Sequence, residues 1–114
     1  MIGTTSHLSG KPITNPLAKD AVMKVLVSPE QGWQDHVMRV IELGPDGYTP
    51  FHSHPWPHIN YVIEGQGELR LGETLTPVEA GAYAFIPAGT EHQFRNAGTA
   101  KFSFICIVPK EGHI

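Results

Sequence analysis

A chain of 114 residues accommodates one domain and leaves no room for a second of ordinary size. Apolar residues at 40%, charged residues at 17% and a net charge of −3 with no Lys/Arg run exclude a disordered chain, a nucleic-acid surface and a polybasic membrane patch. Cys106 is the only cysteine, so an internal disulfide is excluded; no apolar stretch suits a signal peptide or membrane span, and a cytoplasmic protein is expected.

Twelve glycines and ten prolines are well above ordinary usage of roughly 12% combined, and such punctuation separates many short strands. An all-β, single-domain barrel is expected, with residues 1–35 as an N-terminal arm and first strand packing on a barrel formed by 36–114. The arm has no clear period up to Ala18. Val22–Val27 reads as a first strand, and Trp33–Leu43 contains a second, closed by the turn Gly44-Pro45-Asp46-Gly47. Along this second strand Val37, Arg39, Ile41 and Leu43 are the more apolar alternation. Facing inward, Arg39 becomes a buried cation able to clamp a carboxylate; facing outward, it is a solvated or stacked side chain, and the pattern leaves both open.

Tyr48–His54 is expected to be extended and to stop at Pro55-Trp56-Pro57, where two amide donors are missing. His58–Glu64 then meets Glu68–Leu71 in a hairpin across Gly65-Gln66-Gly67. Gly72-Glu73 and Ala80-Gly81 mark further turns, and Pro87-Ala88-Gly89 stops a strand over Tyr83–Ile86. Glu91–Asn96 is expected to pair with Lys101–Val108 across residues 97–100. Eight or nine such strands favour a closed barrel, because closure removes sheet edges.

Seven histidines occur, at positions 7, 36, 52, 54, 58, 92 and 113. His7 and His113 read as solvated loop residues and His36 as a surface residue. His52 and His54, two apart on a strand, leave the same face. The proline-bounded turn returns His58 at the start of the next strand, and His92 opens a later one. Four imidazoles lining a narrow barrel can converge on one ion. Glu64 lies too far along its strand from His58, and Glu91 points away from the face of His92, so no carboxylate joins them.

His52-Ser-His54, then His58, then Gly65 resembles the first motif of the cupins, with His58 where a glutamate is usual and Gly47 one residue out of place. Gly81, Pro87-Ala-Gly89, His92 and Asn96 match the second cupin motif. The chain is also similar to the small four-histidine cupins of the manganese-binding type, in His52-Ser-His54-Pro-Trp-x-His58, Phe94-Arg-Asn96 and Cys106-x-x-Pro-Lys-Glu-Gly112. The resemblance implies a double-stranded β-helix (jelly-roll) barrel holding one divalent transition metal through His52, His54, His58 and His92. By resemblance Mn or Fe comes first, whereas imidazole by its softness suits Zn, Cu, Fe and Ni, and Mn usually prefers oxygen ligands. Members of that group are homodimers, and some catalyse oxidative reactions.

Four neutral ligands leave the full +2 charge on the ion, so an anionic or chelating small-molecule substrate is expected. The leading expectation is a metal-dependent dioxygenase or peroxide-using oxidase. A non-redox isomerase or lyase, and a ligand-binding module without catalysis, are the alternatives. Alternation places Phe102, Phe104, Cys106 and Val108 inward, with Phe104 and Cys106 near the metal cavity. Asn60 shares the face of His58 and is a candidate to orient it, Phe94 a candidate wall, and Trp56 a shield of the mouth or part of an interface. Ile105 and Ile107 point outward and, with Val25 and Val27, suggest a homodimer through the outer sheet.

Overall fold

Short β-branched and aromatic stretches form nine strands among residues 1–113, which the computed structural model describes; Ile114, the last residue of the expected barrel span, lies outside them. In chain order they are β1 (Lys11–Pro12), β2 (Lys19–Val27), β3 (His36–Tyr48), β4 (His58–Glu64), β5 (Gln66–Leu71), β6 (Thr74–Glu79), β7 (Tyr83–Ile86), β8 (His92–Asn96) and β9 (Phe102–Pro109). The antiparallel order is β6-β5-β8-β3-β9-β4-β7, with β2 on β3 and β1 on β2. The sheet curls into the expected jelly-roll barrel. No helix among the described residues is long and apolar enough to cross a membrane.

The period of two along each strand decides what fills the interior. Buried and exposed residues alternate along β4, so His58, Asn60 and Val62 point inward while Ile59 and Tyr61 point out. On β8 the inward set is His92, Phe94 and Asn96. Phe102, Phe104, Cys106 and Val108 of β9 all face the core, as their alternation predicts. Phe94 and Phe104 stack at 4.0 Å between ring centroids, closing the centre of the barrel.

Three local expectations are corrected. The Gly44–Gly47 turn does not end the second strand. β3 runs on to Tyr48, pairing with β9 over residues 36–43 and reaching β8 at Tyr48. The turn residues instead form an irregularity opposite β2, with Asp46 at φ +63° facing a register shift at Asp20. Asn96 pins this bend: its side-chain amide donates to Leu43 O (3.0 Å), Gly44 O (3.0 Å) and Ala100 O (2.8 Å), and its oxygen accepts from Gly98 N. Asn96→Ala strips buried carbonyls of their donor and is expected to cost about 2 kcal/mol or more in urea unfolding.

The two predicted hairpins, β4 with β5 and β8 with β9, do not form. β4 pairs with β7 and β9, and β5 pairs with β6 and β8. Gly65, at φ +85° and against Lys101 O where a Cβ would overlap, carries the chain from one layer to the other. β8 and β9 likewise meet face to face across the core, through Phe94 on Phe104, rather than edge to edge. A glycine turn signals reversal but not which sheet edge the next strand fills. β6, which contains Pro77, was not foreseen as a strand; it lies at the end of the sheet path, where a missing donor is tolerated.

Finally, Tyr48–His54 is not a strand beyond Tyr48. Pro50 lacks a donor, and residues 49–57 run irregularly beside β8, held by Thr49 N to Phe94 O (2.9 Å) and a reciprocal bridge between His52 and His92.

Candidate metal centre

The irregular segment and the starts of β4 and β8 gather four histidines at one end of the barrel. His52, His54 and His92 each offer a ring nitrogen, and these lie within 4.8 Å of one another. His58 joins through its Nε2, 3.0 Å from His92 Nε2. His52 and His58 occupy opposite sides, each packed against both His54 and His92 at ring separations of 4.7–5.2 Å. The expectation that His52 and His54 converge by strand alternation is corrected: they come from an irregular loop, fixed by the His52–His92 bridge and by Gly89 N donating to His54 O (2.8 Å).

Proton positions follow from the partners. His54 Nδ1 meets Trp56 O (2.9 Å) and His92 Nδ1 meets Thr90 O (2.8 Å). His58 Nδ1 meets Asn60 Oδ1 (2.7 Å), whose amide nitrogen donates to Ile105 O. Each Nδ1 faces an acceptor and must carry the proton, which leaves each Nε2 as a lone pair. Two such lone pairs therefore confront each other at 3.0 Å between His58 and His92. Neutral acceptors at that distance repel unless a cation lies between them. Bonds of about 2.1 Å meeting at a right angle span about 3.0 Å, so the pair has the spacing of adjacent ligands on one ion. The donor set fits a divalent transition metal.

Electrostatics agree. Burial, then repulsion from the neighbouring imidazoles and Arg39, pushes the His58 pKa down to about 3, with the Asn60 hydrogen bond partly opposing. Burial also lowers His52 and His92. These rings stay neutral, as ligands must be. The linkage has a definite sign. Above pH 6.5 the rings are neutral folded or unfolded; below it the unfolded chain takes up protons that the folded site refuses. Through His58 the metal-free chain is thus expected to lose stability from pH 6.5 toward about 3, at up to about 1.4 kcal/mol per pH unit, measured by urea unfolding in chelator.

Around the cluster, Asn60 orients His58, and Cys106 Sγ lies 3.7 Å from His58 Nδ1. Arg39 faces inward, its Nη2 3.3 Å from Cys106 Sγ, which resolves the orientation the sequence left open. Phe94 walls a cavity of about 260 Å³ that also touches Asn60, Val62, Leu69 and Val78. Phe104 does not line it; it stacks behind Phe94 in the core. Trp56 stacks on His54 at 4.8 Å and packs against Gly112. His113 is corrected from a solvated residue: it is partly buried, and burial and then Arg39 lower its pKa. Glu64 stays outside the cluster, paired with Lys101 at 3.5 Å.

Comparisons with known proteins bear on the family and the fold. Residues 39–108 match the cupin domain family. Over 74 residues the chain is 28% identical to the 1-methylthio-D-xylulose 5-phosphate methylsulfurylase of Rhodospirillum rubrum, covering 65% of this chain and 47% of that protein. The chain thus spans about half the length of this curated relative. The polyketide cyclase RemF from Streptomyces resistomycificus superposes with a TM-score of 0.89 at 28% identity, over 96% of this chain and 78% of that one. A predicted oxalate decarboxylase from Thermotoga maritima gives 0.87 at 23% identity, over 96% and 98%, a likeness of fold alone.

Proposed function

The chain belongs to the cupin domain family, and from that premise we propose that it is a metal-dependent enzyme acting on a small organic molecule, with oxygenase or peroxide-using oxidase chemistry. The observation that carries the reading is the pair of Nε2 lone pairs held 3.0 Å apart in a cluster without a carboxylate. His52, His54, His58 and His92 would hold the ion, Mn or Fe foremost, with Zn, Ni and Cu also suited to imidazole. Bound there, it would supply Lewis acidity and, if redox-active, activation of an oxidant. Neutral imidazoles leave its charge uncompensated and favour an anionic or chelating substrate. Asn60 and the Thr90 and Trp56 carbonyls fix the ring orientations. The apolar cavity beside Asn60 would take a small carbon skeleton and exclude water from it. Cytoplasmic residence and a homodimer are parts of the same proposal.

A second reading, a non-redox isomerase or lyase, is favoured by the 28% identity to proteins named as a cyclase and a methylsulfurylase. One experiment separates them. Natively purified protein is analysed for metal, then screened for oxygen uptake with 1,3-dicarbonyl, phenolic and alkene substrates. Metal-dependent oxygen or peroxide consumption supports the first reading; metal-dependent turnover without any oxidant replaces it with the second; absence of bound metal overturns both.

A further inference from the structure

Among the described residues, the inward-facing Arg39 has no carboxylate partner. It sits opposite Cys106 in the β3–β9 ladder, and its Nη2 donates to Cys106 Sγ at 3.3 Å, while Nη1 lies 4.0 Å from Met23 Sδ. Its Nε is buried with no acceptor, and among the described residues no carboxylate lies within ion-pair distance of it. Sulfur is a weak acceptor, so Nη1 and Nη2 gain little from these contacts and the buried Nε gains nothing. A structural arginine in a barrel would be matched by carboxylates or carbonyls, because an unpaired buried cation costs stability.

The position of Arg39 suggests what completes it. On one side Cys106 separates it from His58, whose Nδ1 is 3.7 Å from the thiol. On the other, Met23 borders a groove of about 650 Å³ between the N-terminal arm, β2 and the C-terminal turn. The groove carries Lys11 and Glu30, Lys110 paired with Asp35 at 3.6 Å, and His113, whose pKa burial and Arg39 lower. These charges roughly balance, so the attraction for an anion comes from Arg39 itself, a half-buried residue. A planar fork of donors matches the paired oxygens of a carboxylate or phosphoryl group.

We propose that Arg39 anchors an oxyanion-binding site: its guanidinium holds the carboxylate or phosphoryl group of a small organic acid whose other end reaches the histidine cluster. The second anchor rests on the metal-centre reading; the first does not.

Malonate and inorganic phosphate serve as probes, titrated calorimetrically into metal-loaded wild type, Arg39→Met and Arg39→Lys, with the metal content of each measured. The wild type is expected to bind one probe at least tenfold more tightly than Arg39→Met, with Arg39→Lys intermediate and metal content equal in all three. Preference for malonate assigns a carboxylate, preference for phosphate a phosphoryl group. Without probe, Arg39→Met is expected to melt about 4 °C above wild type, because an unmatched cation is replaced by an apolar chain of similar length. The proposal is overturned if Arg39→Met binds both probes as the wild type does, if neither binds wild type at about 10 mM, or if Arg39→Met melts lower, which would make the guanidinium a structural element. Arg39-dependent binding in protein that takes up no metal would sink the metal-centre reading alone.

Discussion

His58→Ala is expected to lower the affinity of the chain for a divalent transition metal by on the order of 100-fold or more, since loss of even a residue that merely orients a ligand typically costs 10–100-fold. Its Nε2 lone pair faces that of His92 at 3.0 Å and would be withdrawn from the ion. The same variant, when metal-free, should lose less stability than the wild type on acidification, because the ring whose pKa burial drives to about 3 is gone. Metal should therefore stabilise the wild type far more than the variant. At a free metal concentration 1,000 times the dissociation constant the wild type gains about 4 kcal/mol, on the order of 15 °C in melting temperature. Equal metal content and equal metal-induced melting shifts in the two proteins would show that His58 is not a ligand and that His52, His54 and His92 hold the ion alone.

Tyr61→Asp is expected to convert a dimer into a monomer. Ile59, Tyr61, Ile63, Tyr83 and Phe85 are 51%, 46%, 41%, 83% and 62% exposed, on adjacent strands of one outer face. The ladders extend it in two rows: Phe85, Ile59, Ile107, Met38 and Val27 in one, and Tyr83, Tyr61 and Ile105 in the other, which stops at the already buried Val40. The five most exposed side chains alone present on the order of 600 Å², and a standard interface needs roughly 800 Å² per partner. A second copy would supply the same apolar rows in reverse, as a two-fold axis requires. A carboxylate at the centre of that contact would be buried unpaired. In sedimentation the wild type should run at twice the 12.5 kDa chain mass and the variant at the chain mass. A monomeric wild type at micromolar concentration removes the proposal. Val25, expected on this face, pairs instead with the inward-facing Arg39 and borders the groove, whereas Val27 does lie on it.

Much of this was legible before the fold. Period-two alternation placed Phe102, Phe104, Cys106 and Val108 inside, and the spacing of His52, His54, His58 and His92 matched the motifs of the family to which the chain belongs. The first reading depends on parity, which a strand imposes on its own residues whatever it pairs with; the second rests on motif spacing alone, since His52 and His54 lie on an irregular loop. The barrel itself was legible for a related reason: many short apolar runs cut by glycine and proline have few ways to hide their edges.

What the chain alone could not specify were the relations between strands. Nothing in Gly65-Gln66-Gly67 distinguishes a hairpin from a corner between layers, because that choice is made by which distant edge β9 and β8 occupy. The inward turn of Arg39 depended on its ladder with Cys106, and the protonation of each ligand ring on carbonyl and amide oxygens brought to it by packing. Local sequence determines which way a side chain leaves its strand; only closure of the barrel decides what it meets there, since contacts across a core are set by the packing of both layers at once.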